Sequence, residues 1–329
     1  MLNNHNSNNR LARLFIQLKK YSIKILPPFI FCFLFNGEIY SQNSPIDSLL
    51  NSKTDSIKLI PGKDSTVTFQ SSLHPYKING WVSGSISLVG TIGDYYAIPR
   101  ILGKEKISDE ELSTLNPGVL TRFDRWALMQ DPIKRVYFDH LSDQVITGIF
   151  ILPVTLALDK NIRHDGLKLL LMYYESQAIT FSIFNYSPLG PTFQNKFRPM
   201  AYYTDIPIGD RNIGNNRNSF FAGHVSSATA ASFFLVKVFC DYHPNIGVKK
   251  YLLYTAAVIP AAAMGYLRLR ALKHFPSDIL VGMSVGAICG VAIPSLHAKK
   301  YKNLKLSIFT SPKGATGFCA NWNFASIRE

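Results

Sequence analysis

The chain has 329 residues, of which 47% are hydrophobic, and a net charge of +14. That length suits one large domain or a small membrane protein, and the bunching of apolar residues into runs favours the membrane. The positive balance does not point to nucleic acid: Lys and Arg fall at the N-terminus and in short loops between apolar runs, and no RNA- or DNA-binding motif is present.

In chain order, residues 1–42 have the layout of an export signal. Arg10, Arg13, Lys19, Lys20 and Lys24 precede an apolar run at 25–35, followed by a polar stretch to residue 42. Ile39 stands where a small residue is preferred before cleavage, so an uncleaved signal anchor is the alternative, and Pro27 and Pro28 disfavour a clean spanning helix. Residues 43–80 read as a polar linker without helical period. Residues 81–140 read as amphipathic or weakly spanning. The part at 81–102 is broken by Gly84, Gly90, Gly93, Asp94 and Pro99, and either crosses the membrane or lies on it. In 104–140 a helix start is expected at Ser108, and the charged face around Asp124 is expected to be solvated.

Residues 141–298 hold the convincing apolar segments, at 145–158, 167–184, 225–240, 251–266 and 279–293. These are short for a hydrocarbon core of about 30 Å, so the spans are expected to extend into flanking polar residues. Glu175 and Gln177 lie inside the second segment, and an internal hydrogen bond to a neighbouring helix is the expected role of Glu175. His140, His164, His243 and His297 are expected at the surface or the interface. The tail, 299–329, alternates apolar and polar residues around Gly314 and Gly317, a weak strand signal. Cys32, Cys240, Cys289 and Cys319 have no paired spacing and indicate neither a disulfide framework nor a metal site.

Chemistry is concentrated at 268–278, which reads Arg-Leu-Arg-Ala-Leu-Lys-His-Phe-Pro-Ser-Asp. Pro276, Ser277 and Asp278 signal a helix start, so His274 lies just before a helix mouth, where anions are favoured and a flanking Arg268 can fork phosphate oxygens. Asp278 is one turn on, within reach of an imidazole whose tautomer it would fix. A second histidine, His224, follows Gly223 at another helix start, and Arg198-Pro199 ends a further apolar segment.

In order and spacing these three stretches resemble the phosphatidic acid phosphatase type 2 superfamily, which includes class A acid phosphatases and vanadium haloperoxidases, over roughly residues 140–296. The resemblance implies an all-α, membrane-embedded helical bundle of that kind, here with a weak C-terminal β-like tail. It implies a metal-independent, cofactor-free phosphatase acting through a phosphohistidine on a monoester or pyrophosphate, with a lipid or isoprenoid phosphate as substrate. His274 would be the nucleophile, Asp278 its orienting acid and His224 the general acid and base. Arg198, Arg268 and the backbone N–H of Gly223 would bind the phosphoryl oxygens. A catalytically degenerate scaffold and a vanadate-dependent haloperoxidase are the alternatives.

The sequence departs from the family pattern at several places. Pro191 occupies the position of the first motif's lysine, Phe221 and Ala222 replace Pro-Ser in the second motif, and Leu267 replaces serine in the third. Lys196, the nearest lysine, is the candidate replacement for the missing phosphate ligand. The motifs fall at one end of the bundle, and the loops at the other end carry Lys160, Arg163, Lys249, Lys250, Lys299, Lys300 and Lys302. The positive-inside rule therefore places the site on the periplasmic face of a bacterial envelope protein.

Overall fold

The computed structural model describes residues 74–299 in full, together with the backbone of 304–310 and 316–322. The leader and most of the linker lie outside the described residues. Six long helices are present among them: α1 (Gly80–Leu102), α2 (Arg135–Ile151), α3 (Gly166–Tyr186), α4 (Gly223–Tyr242), α5 (Lys249–Arg270) and α6 (Pro276–His297). Their ends follow local chemistry. The Asn79 side chain accepts from the N–H groups of Trp81 and Val82 to cap α1. Pro153 cannot donate a backbone bond, and α2 continues past Ile151 as a 3₁₀ segment, Leu152–Leu158.

Among the described residues, four helices are long and apolar enough to cross a membrane, which supports an integral membrane protein: α2 with its extension (Arg135–Leu158), α4, α5 and α6. Helix α3 forms over the expected segment at 167–184 but is not one of the four. The spans do run into the motif residues, since α4 includes His224, α5 includes Arg268 and α6 includes Asp278. The span expected at 145–158 starts ten residues earlier, and the added turns carry Asp139 and Ser142, whose side chains are bonded by Arg268 of α5.

Helix α4 is the centre of the bundle and contacts α2, α3, α5 and α6. Its approach to α6 is governed by small residues. A Cβ on Gly282 would come within 2.7 Å of the Ala222 carbonyl, one on Gly286 within 2.1 Å of the Ser226 carbonyl, and one on Gly290 within 2.6 Å of the Ala230 carbonyl. Glycines at every fourth position of α6 thus face residues at every fourth position of α4, and the two backbones touch. Gln177 ties α3 to α4, accepting from Ser227 Oγ at 2.7 Å and donating to the Ser227 carbonyl at 3.3 Å.

Helix α1 lies along α3 in the same direction: Gly90 meets Ala178, and Gly93 meets Tyr186. Residues 81–102 thus form a helix packed on the bundle, though α1 is not one of the four described helices long and apolar enough to cross a membrane. Just before α1, Lys77 N donates to the His297 carbonyl at 2.8 Å and Tyr76 Oη to Asp241 at 2.7 Å, which fixes the last linker residues at the end of the bundle remote from the motifs. At that end Glu175 accepts from His297 Nε2 at 2.9 Å. The expected interhelix bond of Glu175 is present, and His297, expected at the surface, is largely covered. Asp124 is also buried, not solvated: its carboxylate accepts from Ser277 N at 2.9 Å and Ser277 Oγ at 2.8 Å and so caps α6. In the tail, β1 (Leu304–Thr310) and β2 (Thr316–Trp322) pair antiparallel, with Leu304 opposite Trp322 and Thr310 opposite Thr316.

Candidate active site

Three backbone contacts gather the motif stretches at one end of the bundle. Ala222 N donates to the Asp278 carbonyl at 3.1 Å and joins the starts of α4 and α6. Met200 N donates to the Leu272 carbonyl at 3.2 Å, and Arg198 N to the Asn216 carbonyl at 2.8 Å. The Arg198 segment is thereby laced to the turn before His274 and to the loop before His224.

His274 is buried, and its Nδ1 lies 2.6 Å from the Ser219 carbonyl. A carbonyl only accepts, so Nδ1 carries the proton and Nε2 is left with the lone pair. Burial first, then the charges of Arg268 and Arg198, hold this imidazole well below the ordinary histidine pKa. A neutral ring with a free Nε2 is the form a nucleophile needs.

The Asp278 carboxylate does not orient His274, contrary to expectation. It accepts from Ser219 Oγ at 2.6 Å, Phe275 N at 3.0 Å and Lys196 Nζ at 2.5 Å. Its grip on Ser219 positions the carbonyl that holds His274, so its influence on the ring is indirect. Lys196 is correspondingly diverted: its ammonium pairs with Asp278 and sits 5.1 Å from the centre of the Phe275 ring. An ammonium beside a fully buried carboxylate neutralises it, and that role competes with binding phosphate.

Arg198 and Arg268 are both buried. Arg198 donates Nε to the Asn218 carbonyl at 3.3 Å. Arg268 donates Nη1 to Asp139 at 3.0 Å and to Ser142 Oγ at 2.9 Å, while its buried Nε makes no hydrogen bond among the described residues. Gly223 opens α4 without any side-chain cap. A Cβ there would come within 3.2 Å of the Phe184 ring, a tight contact that glycine avoids while leaving the helix mouth open. His224, half-buried beside it, has Nε2 3.7 Å from Asp143 Oδ1.

Asp139, Asp143, Lys273 and Ser219 were not singled out from the sequence. Asp139 and Asp143 stand four apart on α2, which puts both carboxylates on one face, a signal legible once the helix is extended to Arg135. Among the described residues, no group of three His, Cys, Asp or Glu side chains is placed to hold a metal ion.

The PAP2 superfamily model matches residues 166–302. Among solved structures, the chain is similar to the crystal structure of the first transmembrane PAP2 type phosphatidylglycerolphosphate phosphatase from Bacillus subtilis. Identity is 16% and the TM-score 0.37, covering 65% of this chain and 94% of that one. No curated protein matches.

Proposed function

We propose that this chain, a PAP2 superfamily member through residues 166–302, is a membrane phosphatase that hydrolyses a lipid-linked phosphate monoester or pyrophosphate through a phosphohistidine. The observation that carries the reading is His274: buried, proton-tied through Nδ1 to Ser219, and accompanied by two buried guanidinium groups. A substrate of this class suits a site at the mouth of an apolar bundle, where a headgroup enters while its tails stay in the bilayer.

In the first half-reaction the Nε2 lone pair of His274 forms a bond to phosphorus as the bond to the leaving oxygen breaks, and His224 supplies the proton that oxygen needs. The positive charge arising on His274 is spread through Nδ1–H toward the Ser219 carbonyl. In the second half-reaction His224, now neutral, takes a proton from water as the water oxygen attacks phosphorus; inorganic phosphate leaves and His274 is restored. Arg198, Arg268 and the α4 mouth at Gly223 hold the equatorial oxygens, whose charge builds in the transition state.

The site faces the periplasm in this reading, because the opposite end carries the basic loops. Residues 75–77, bonded to the His297 end of the bundle, then lie on the cytoplasmic side, and this favours an uncleaved leader over a cleaved signal. An N-terminal epitope tag retained on the mature protein is the expected result, and its loss on export would overturn the topology.

The test of function is phosphate release from a panel of lipid phosphates and one soluble monoester, in detergent with EDTA, for wild type and His274→Ala. Release that survives chelation and disappears in the variant supports the mechanism. A folded wild type that hydrolyses none of them would move the assignment to a degenerate scaffold, and vanadate-dependent halide oxidation would move it to a peroxidase.

A further inference from the structure

Resting on that reading, we propose that Lys273 is a third phosphate-binding cation of the site, acting with Arg198 and Arg268 in the place the sequence suggested for Lys196. The turn after α5 determines where Lys273 goes. Leu272 N donates to the Leu269 carbonyl at 3.0 Å and Lys273 N to the Arg268 carbonyl at 3.1 Å, with Leu272 at φ 57°. This is a Schellman closure, and it folds Lys273 back onto the residue that supplies one of the guanidinium groups.

The side chain is placed to match. Lys273 Nζ is 2.9 Å from Asp139 Oδ2, and the other oxygen of that carboxylate is 3.0 Å from Arg268 Nη1. One carboxylate therefore holds two cations side by side. The Lys273 side chain is only 16% exposed, in surroundings that also include the charge of buried Arg198. Three cations thus share this pocket with Asp139 and Asp143, the latter engaged beside His224, while Asp278 is already neutralised by Lys196. Buried charge of one sign is costly without a counter-ion, and the unpartnered Nε of Arg268 marks where donors still lack an acceptor. A tetrahedral oxyanion supplies both the charge and the acceptors.

The experiment measures binding of inorganic phosphate to the full chain in detergent, by calorimetry and by the phosphate-induced rise in Tm, alongside kcat/KM on phosphatidic acid micelles. Lys273→Met is expected to weaken phosphate binding by about 10–100-fold, the scale of one charge-assisted hydrogen bond, and to abolish most of the Tm rise; Lys273→Arg should stay within a few-fold of wild type. A lysine that merely pairs with Asp139 would lower the Tm of the unliganded protein and leave the phosphate-induced rise intact. Should Lys273→Met fail to fold, Lys273→Gln, which keeps a hydrogen-bond donor toward Asp139, carries the same comparison. Unchanged phosphate affinity in the variant, with turnover still abolished by His274→Ala, overturns the role of Lys273 and leaves the phosphatase standing. A wild type that neither binds nor releases phosphate overturns both.

Discussion

The carbonyl oxygen of Ser219 lies 2.6 Å from Nδ1 of His274, and this contact between the approach to one helix and the approach to another selects the tautomer on which the proposed chemistry depends. It joins residues 55 apart in sequence. A backbone acceptor cannot be mutated away, but its position can, because the Ser219 hydroxyl is anchored on Asp278.

His274→Ala and His224→Ala are each expected to lower phosphate release by about three orders of magnitude or more, since one removes the nucleophile and the other the proton donor. The pH dependence has a definite sign. In the unfolded chain His274 takes up a proton near pH 6.5, whereas in the fold its pKa lies well below that value. The unfolded state therefore binds more protons as pH drops through about 6.5, and this residue lowers stability on the acid side. Thermal melts of wild type and His274→Gln between pH 7 and pH 5 should converge as the pH falls; parallel curves would refute the buried neutral ring.

Asp143→Asn removes the carboxylate that faces His224 at 3.7 Å while keeping its shape. The expected outcome is a fall in kcat of up to about 100-fold with little change in KM, because the acid acts by lending charge to a proton donor. Equal loss in both constants would instead make Asp143 a binding residue.

Gly286→Ala tests the helix contact that holds the two histidine-bearing ends together. Its new Cβ would fall 2.1 Å from the Ser226 carbonyl, a backbone atom that cannot step aside. We expect a loss of about 3 kcal/mol in denaturant unfolding and of most activity, as α4 and α6 are forced apart. Gly84→Ala in α1, with nothing within 4 Å of the added atom, should instead stabilise by about 0.5–1 kcal/mol.

Leu272 sets conformational strain against burial. Its φ of 57° costs a non-glycine residue about 1–2 kcal/mol, yet the side chain is fully buried with Met200 and Ile206. Leu272→Ala keeps the strain and loses the packing, for an expected destabilisation of about 3 kcal/mol. Leu272→Gly loses the same packing but relieves the strain, so it should be the more stable of the two, though still below wild type. Equilibrium unfolding of the pair gives the order directly.

Much was written in the sequence because it depends on neighbours along the chain. Apolar runs fix helices, Pro276 fixes the start of α6, and the spacing of Arg268, His274 and Asp278 follows from one helix ending and another beginning. These local rules placed both histidines at helix mouths, and the alternation in the tail marked the hairpin of β1 and β2. What they left undetermined was partnership. Asp278, one turn away, is the holder the sequence suggests for His274, but the helix start bends its carboxylate onto Phe275 N and Ser219. The sequence offers Lys196 as a phosphate ligand, and the fold sets it against that same acid. Asp139 reaches Arg268 across 129 positions, and the mixed-charge stretch before the first clear apolar run gave no hint that its acids face inward. The sequence alone determined which segments are helices and which residues carry reactive groups. Only the tertiary structure decided which charge neutralises which, because hydrogen bonds and ion pairs act over a few ångströms in space and that proximity is created by the packing of α2, α4, α5 and α6.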